Sequence, residues 1–343
     1  MAERTADFDY ELPPGLIAQA PLPERDASRL LVLDRVAGAI SHRTFADFPA
    51  FPAPGDVLVI NDSKVIPARL PARRRGGGAA EVLLVTREAE GTWRALVRPG
   101  ARIRPGASLD LGGGDRAEVL AALEGGQRRV RLEGPGGEDA IIARRGQVPL
   151  PPYIARAPES ADRERYQTVY AAVPGSVAAP TAGLHFTPAI LARLVERGVA
   201  VARLTLHVGP GTFRPVTADD TAQHRLDPEA YDVPEDAARA IAAARGRGGR
   251  VWAVGTTVTR TLETAAANDG AVRAGAGWTS LFIRAGHSFG VVDRLLTNFH
   301  LPRSTLLMLV CAFAGRDLVM RAYGEAIRQR YRFYSYGDAM LIL

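Results

Sequence analysis

The sequence has a single cysteine among its 343 residues. Cys311 therefore has no partner for a disulfide within the chain, which is typical of a reducing compartment, and we expect a cytoplasmic protein with Cys311 in its core. Long apolar runs are also lacking. The longest, 306–314, is about half of the ~18 residues that a membrane-spanning helix needs. The first ten residues contain no apolar segment typical of a signal peptide, so the sequence predicts no membrane association.

Lysine is almost absent, because arginine supplies 42 of the 43 cationic side chains and Lys64 is the other. The net charge of +6 is unevenly distributed, since residues 66–150 carry 15 arginines and 10 acidic residues. This basic segment indicates an anionic partner, with nucleic acid first, or else only a solvated face. Lys64 is a candidate catalytic residue, because a lysine amine is readily tuned to lose its proton.

The patterns of several common sites are missing. No His-x-His, His-x-x-x-His or cysteine pair is present, so no metal site is predicted. No Gly-x-Gly-x-x-Gly follows a predicted strand, and neither Gly-Lys-Ser/Thr nor Gly-x-Ser-x-Gly occurs. A nucleoside ligand would need a pocket of another kind.

Two different patterns of secondary structure divide the chain. Short alternating runs separated by glycine-rich turns predict a small antiparallel β-barrel, with strands at 81–87, 92–97, 107–111, 117–123 and 128–132. Elsewhere strands alternate with helices, with strands at 56–60, 199–208, 250–254, 280–284 and 290–296. We therefore predict an α/β core domain with a mainly parallel or barrel-like sheet, formed by residues 1–65 and 151–343. A basic β-barrel domain is inserted at 66–150.

Three of the six histidines occur in similar short strings. His185, His207 and His300 each follow an apolar residue and lie within a few residues of Thr, Pro and usually Gly, which is typical of a strand that ends in a sharp turn. In α/β sheets ligands bind at the carboxyl ends of the strands. Any one of these histidines can be structural, but the three together predict an active site in which they act as acids or bases.

The candidate binding residues lie mostly in turns and at helix starts, where backbone N–H groups can approach a ligand. In Tyr166-Gln-Thr-Val-Tyr170 the side chains can stack on a base or simply pack. The full set is Asn61, Arg69, Tyr166, Gln167, Thr168, Thr181, Gly183, Gly209, Gly211, Thr212, Gly255, Thr256, Thr257, Arg260, Glu263, Asn298, Ser304 and Thr305.

Several of these strings resemble one known family over essentially the whole chain. They include Val65-Ile-Pro-Ala-Arg-Leu70, Tyr166-Gln-Thr-Val-Tyr170, Pro180-Thr-Ala-Gly-Leu-His-Phe186, Thr205-Leu-His-Val-Gly209 and Thr297-Asn-Phe-His-Leu-Pro302. The chain is similar to the S-adenosylmethionine:tRNA ribosyltransferase-isomerases of queuosine biosynthesis.

The resemblance implies a transferase and isomerase that uses S-adenosylmethionine as co-substrate and no metal or redox cofactor. The ribosyl group passes to the aminomethyl group of a 7-deazaguanine at the wobble position of tRNA, giving epoxyqueuosine, and adenine and methionine leave. Within this reaction Arg260 and Glu263 are expected to hold the methionine carboxylate and ammonium. A monomer is expected.

The chain departs from the family pattern at four positions. Asp227 stands where a second histidine is usual, and Val258, Arg284 and Gly290 also differ. A paralogue with a changed acceptor is therefore an alternative. The sequence is also compatible with a non-catalytic tRNA-binding protein or with a metal-dependent hydrolase.

Overall fold

The computed structural model describes residues 3–89, 91–213, 216, 218–267 and 269–343, and of residues 212 and 213 it describes the backbone only. The strands in this part of the chain are β1 (Arg29–Asp34), β2 (Ala39–Thr44), β3 (Val57–Asn61), β4 (Ser63–Val65), β5 (Arg69–Arg74), β6 (Ala79–Ala89), β7 (Thr92–Arg98), β8 (Ser108–Gly112), β9 (Asp115–Ala122), β10 (Gln127–Glu133), β11 (Val173–Ser176), β12 (Ala200–Leu206), β13 (Glu229–Val233), β14 (Val251–Val254), β15 (Gly275–Thr279), β16 (Arg294–Asn298) and β17 (Ala339–Ile342). The α-helices are α1 (Gly137–Arg145), α2 (Asp162–Arg165), α3 (Pro188–Glu196), α4 (Glu235–Gly246), α5 (Thr256–Ala265), α6 (Thr305–Ala314) and α7 (Arg316–Arg328).

The core domain is built on one nine-stranded sheet, with the order β15-β13-β12-β3-β14-β16-β17-β1-β2. Its centre is parallel, because β12, β3, β14 and β16 run in the same direction. All five residues of β3 are buried, as expected for a strand covered by helices on both faces. The α/β prediction is confirmed, but the sheet is mixed rather than mainly parallel, since β2, β13, β15 and β17 pair antiparallel with neighbours.

The inserted segment forms a closed antiparallel barrel, with the order β10-β7-β6-β5-β8-β9. Inward and outward side chains alternate, so that Trp93, Ala95 and Val97 of β7 are buried. Helix α1 packs on the barrel through Ile141 and Ile142. The prediction of an inserted β-barrel is confirmed, and all six strands lie within 66–150.

The two connections between barrel and core run side by side. The chain leaves the core through β4 and returns through β11, and these two short strands pair in parallel. A second pairing lies just beyond them, where Arg69 and Gln147 exchange backbone hydrogen bonds of 3.2 and 2.8 Å. The barrel is therefore joined to the core by these two pairings, which we call the paired link. Residues of both domains lie beside this link.

Two helix caps position the loops that precede α3 and α6. The Thr187 side chain accepts a hydrogen bond from the Ile190 amide at 3.2 Å and begins α3, with Pro188 in the first turn. The Ser304 hydroxyl does the same for Leu307 at 3.2 Å and begins α6. Cys311 is buried on α6, which confirms its place in the core.

Some elements differ from the sequence prediction. Residues 280–284 are not a strand, and the predicted strand at 290–296 begins later, as β16. Strand β5 precedes the predicted barrel strands and was not predicted, and α1 was not predicted because its apolar residues are few. No helix in the described residues is long and apolar enough to cross a membrane.

The Asp56 side chain connects β14 to the start of β3 by hydrogen bonds, and its loss is expected to lower the stability of the fold. Its buried carboxylate accepts from the Ala53 amide at 2.9 Å, the Arg250 amide at 2.7 Å and the Trp252 indole at 2.8 Å. We expect Asp56→Ala to lower the free energy of unfolding by about 3 kcal/mol, because three donors lose their acceptor.

Urea unfolding measures this loss, and Glu235→Ala is the matched control. The Glu235 side chain is 80% exposed and pairs only with the exposed Arg239, so its loss is expected to cost under about 0.5 kcal/mol. Equal losses in the two variants would contradict the assignment.

Candidate active site

A cavity of about 820 Å³ lies between the barrel and the core, beside the paired link. The barrel contributes residues of β6, β7 and α1, and the core contributes the loop after β12, the start of β13 and part of α5. Small-molecule sites typically enclose about 300–1,000 Å³. We call this cavity the cleft, and it is the best candidate for the active site.

The described residues that line the cleft carry a formal excess of one negative charge. The carboxylates are Glu124, Asp139, Asp227 and Glu229, and the guanidiniums are Arg87, Arg94 and Arg260. Two tryptophans also line it, of which Trp278 is 60% exposed. Such a lining suits a flat ligand with positive charge better than a phosphate backbone.

His207 lies in the cleft directly after β12. Its ring packs on Gly175, where a Cβ would come within 2.7 Å of the ring carbon Cε1, so only glycine permits this approach. The Nδ1 atom is buried and has no hydrogen-bond partner among the described residues. Burial lowers the pKa of His207, partly offset by Asp62, so the ring is neutral and available to accept a proton.

A buried ion pair between Glu229 and Arg260 also lines the cleft. The other oxygen of Glu229 accepts from the Gly209 amide at 2.8 Å, so the carboxylate joins β13, α5 and the loop after β12. The Nε atom of Arg260 is buried and has no partner in the described structure. A buried donor without a protein partner beside a cavity is available to bind a polar ligand.

A second, smaller cavity of about 50 Å³ lies next to the cleft, and Leu306 lines both. It has room for a few water molecules but not for a nucleoside. The structure brings many of the predicted site residues together here, namely Thr181, Gly255, Thr256, Thr257, Asn298, His300 and Ser304. We call it the inner cavity.

His300 lies in the inner cavity, two residues after β16, as its string predicts. Its Nε2 atom lies 2.7 Å from the Thr297 hydroxyl, and its backbone carbonyl accepts from the Tyr10 hydroxyl. Burial lowers the pKa of His300 to about 3. The ring is therefore neutral near pH 7, and its hydrogen bond to Thr297 near the end of β16 fixes its position.

His185 lies apart from the other two histidines. It ends a short 3-10 helix, Thr181–His185, so the expected strand end is wrong at this position. Its Nδ1 lies 2.7 Å from the Ser28 hydroxyl, its Nε2 lies 3.2 Å from the Asn298 amide nitrogen, and its ring stacks on Phe45. Burial, with smaller effects of Arg25 and Arg332, lowers its pKa to about 3.

The structure places Arg260 and Glu263 in different surroundings. Glu263 accepts hydrogen bonds from the amides of Gly290, Val291 and Val292 at 2.9, 3.1 and 3.0 Å. Its carboxylate is therefore bound by the segment before β16, whereas the acidic partner of Arg260 is Glu229.

Several other predicted binding residues hold the fold together instead of lining a cavity. Gln167 bonds both backbone groups of Val65, at 3.0 and 2.8 Å. Arg69 pairs with Glu81 at 2.8 Å. Lys64 is exposed on β4 and lines neither cavity among the described residues.

Three more of the predicted residues lie in tight packing. Tyr166 is fully buried against Tyr336, and Thr168 is buried nearby. Gly183 leaves room for Tyr170, whose hydroxyl would lie 2.1 Å from an added Cβ.

Three of the remaining predicted residues lie in the cleft. Gly209, Gly211 and Thr305 line it. The Thr212 side chain lies outside the described residues.

The sequence did not single out Glu229, Trp93 or Trp278 as site residues. Glu229 follows Asp227 by two residues, and this spacing was the available signal. The tryptophans reach the cleft only through the placement of the barrel and of the edge strand β15, which no local pattern reveals.

Comparison with known proteins identifies the family. The family model described as queuosine biosynthesis protein matches residues 5–342. The chain belongs to this family.

Curated relatives of this queuosine biosynthesis family match over nearly the whole chain. A Moorella thermoacetica protein named S-adenosylmethionine:tRNA ribosyltransferase-isomerase is 56% identical over 99% of this chain and 100% of its own length. An Anaeromyxobacter protein of the same name is 57% identical over 99% of both. The crystal structure of a Thermotoga maritima S-adenosylmethionine tRNA ribosyltransferase is 43% identical, covers 98% of this chain and all of its own, and gives a TM-score of 0.57.

The buried state of His185 generates a pH prediction. An unfolded histidine binds a proton near pH 6.5, whereas the pKa of folded His185 is about 3. Between these values the unfolded chain binds more protons, so acidification lowers the free energy of unfolding, by about 1.4 kcal/mol per pH unit for this residue. We expect the His185→Gln variant to be less stable than the wild type at pH 7. Its free energy of unfolding should also fall less steeply with acidification, because the contribution of His185 is absent.

Urea unfolding from pH 7 to pH 5 tests this expectation. Phe45→Leu is the matched control, because it removes the stacking partner of His185 without removing a titrating group. It should lower stability by a similar amount at every pH. A His185→Gln variant that keeps the wild-type slope would contradict the prediction.

Proposed function

We propose that this protein transfers the ribosyl group of S-adenosylmethionine to the aminomethyl group of a 7-deazaguanine at the wobble position of tRNA. The group is isomerised there to give epoxyqueuosine, and adenine and methionine leave. The cleft is the observation that carries the proposal, within a chain that matches the family over its whole length. Sulfonium and aminomethyl groups are both cationic, which fits the excess of carboxylates in the cleft.

His207 supports the proton transfers that this reaction requires. A base must take a proton from the acceptor amine or from the carbon beside the sulfonium, and an acid must assist the departure of adenine. Among the three histidines, His207 is the one in the cleft with an unpartnered ring nitrogen. We assign it the proton-transfer role, while His185 and His300 position the loops around Asn298 and Thr297.

The Glu229–Arg260 pair suits the amino-acid end of S-adenosylmethionine. The unpartnered Nε of Arg260 can donate to the α-carboxylate, and the Glu229 carboxylate can accept from the α-ammonium. In this assignment Arg260 binds the carboxylate, as the sequence predicts, and Glu229 binds the ammonium in place of Glu263.

The proposal includes no resident metal or redox cofactor. The sulfonium is already an activated leaving group and adenine departs on protonation, so the steps need proton transfer. We also propose a cytoplasmic monomer, because tRNA is the substrate and the described residues of one chain line both the barrel side and the core side of the cleft.

A paralogue with a changed acceptor is the second candidate, and Asp227 is the observation that favours it. Among the four departures from the family pattern, Asp227 alone lines the cleft. Gly290 instead donates its amide to Glu263, and Val258 is buried in α5.

Adenine release from S-adenosylmethionine tests the proposed reaction. Purified protein is expected to release adenine only when tRNA carrying the 7-aminomethyl-7-deazaguanine is added. Release that ignores the modified base would favour the changed acceptor, and binding of tRNA without release would favour a non-catalytic protein.

His207→Gln is expected to lower the rate of adenine release by about 10²–10⁴-fold, because the proton acceptor in the cleft is lost. His42→Gln is the matched control, since His42 lies on β2 and lines neither cavity among the described residues. Near-normal turnover of the His207 variant, with its fold intact by circular dichroism, would remove the assignment.

Calorimetry with two nucleoside probes tests the amino-acid subsite. S-adenosylhomocysteine contains the amino-acid end, and 5′-methylthioadenosine lacks it. We expect Arg260→Gln to weaken binding of the first by about tenfold or more and to leave the second unchanged. Glu263→Gln, on the same helix but outside the cleft, should change neither; equal weakening of both probes by Arg260→Gln would contradict the subsite.

A further inference from the structure

The arginines of the barrel fall into two groups. Eight of the fifteen in the inserted segment form ion pairs with carboxylates, namely Arg69, Arg87, Arg94, Arg116, Arg129, Arg131, Arg144 and Arg145. Their charges are balanced locally. The other seven have no carboxylate partner within the described residues, namely Arg73, Arg74, Arg75, Arg98, Arg102, Arg104 and Arg128.

All seven unpaired arginines lie at the same end of the barrel. Neighbouring strands of the barrel are antiparallel, so the loops that follow β5, β7 and β9 emerge together. The unpaired arginines lie in these loops or at the strand ends beside them. We call this surface the arginine end.

The arginine end is presented to solvent on a fixed framework. Five of its arginines are exposed, namely Arg73, Arg75, Arg98, Arg102 and Arg104. Arg128 instead donates to the carbonyls of Gly100 and Gly126, at 3.1 Å in each case. It therefore joins two of the loops and keeps the exposed charges close together.

Few carboxylates oppose this charge. Asp110 is the register partner of Arg73, but its carboxylate accepts from the Gly112 amide at 2.8 Å, and no ion pair joins the two residues in the described structure. Glu124 lies in the loop after β9. Glu81 is the register partner of Arg98, but its carboxylate pairs with Arg69 at 2.8 Å. Five exposed guanidiniums against these three carboxylates make an electropositive surface.

The arginine end adjoins the cleft. Glu124 and Gly125 belong to the loop after β9, one of the three loops of this end, and both residues line the cleft. A polyanion bound at this surface would therefore pass the mouth of the cavity. The charge distribution is complementary to a modified tRNA, since its phosphates are anionic and its aminomethyl base is cationic.

We propose that the arginine end binds the phosphodiester backbone of tRNA beside the nucleotide that enters the cleft. This inference rests on the proposed function and names the surface that holds the acceptor. Arginine forks match phosphate oxygens, and each neutralised phosphate releases counterions. Binding of tRNA at this surface is therefore salt-dependent, and the slope of log Kd against log salt gives the number of phosphate contacts.

The test compares two double variants that remove the same charge from the same barrel. Arg102→Ala with Arg104→Ala removes two exposed arginines of the arginine end. Arg116→Ala with Arg131→Ala removes two arginines that are 61% and 49% exposed and are paired with Glu133 and Glu118. Fluorescence anisotropy gives the Kd for fluorescein-labelled tRNA at a series of salt concentrations.

We expect the first double variant to weaken tRNA binding by about tenfold or more at low salt. The slope of log Kd against log salt should fall by about 1.4–1.8, the equivalent of two phosphate contacts. The second variant should keep the wild-type slope. Both should bind S-adenosylhomocysteine as the wild type does, which separates this test from any failure of the proposed reaction.

A wild-type slope in the variant of Arg102 and Arg104 would overturn the proposal. An equal fall in both variants would also overturn it, because it would reflect net charge alone. Loss of binding to anionic phospholipid vesicles with tRNA binding intact would assign the surface to a different partner and would overturn it as well.

Discussion

A buried polar network at the end of β3 determines where the barrel leaves the core, and the cleft depends on it. The Asn61 side chain accepts from the amides of Ser63 and Leu206 at 3.0 Å each and donates to the Leu206 carbonyl. The Ser63 and Ser176 hydroxyls lie 2.7 Å apart, and Ser176 accepts from the Val208 amide at 2.9 Å. These groups are completely buried and mutually satisfied, so the network tolerates few other arrangements. It joins the outgoing strand, the returning strand and the loop that carries His207.

Because the link is fixed at this point, the site combines residues that are far apart in the chain. The barrel brings Trp93 and Arg94 to face Glu229 and Arg260 of the core. The same placement separates two kinds of charge. Carboxylates are in slight excess inside the cleft, while the unpaired arginines of the barrel point outward from one end. A single domain with uniform charge would repel either the cationic groups or the phosphates of a modified tRNA.

Local patterns in the sequence predicted the elements well where the pattern itself determines the structure. The alternating runs after residue 78 form strands of the barrel, and Cys311 is buried on a core helix. The role of Asn61 was not predictable, because its partners Leu206 and Thr257 are 145 and 196 residues away. The ion pair of Arg260 with Glu229 was not predictable for the same reason, since the two residues are 31 positions apart and meet only in the folded protein.

The three histidine strings show how similar local sequence leads to different physical roles. His185 and His300 are buried, and a ring nitrogen of each is hydrogen-bonded to a neighbouring side chain. Desolvation keeps both rings neutral, and the hydrogen bonds fix their orientation. A histidine held in this way exchanges protons poorly, because charging it inside an apolar environment is unfavourable. His207 differs in its surroundings, since its ring packs on Gly175 and lines the cleft, and its Nδ1 lacks a partner in the described structure. Acid–base capacity therefore depends on which strand end opens into the cleft, and the paired link beside Gly175 determines that opening.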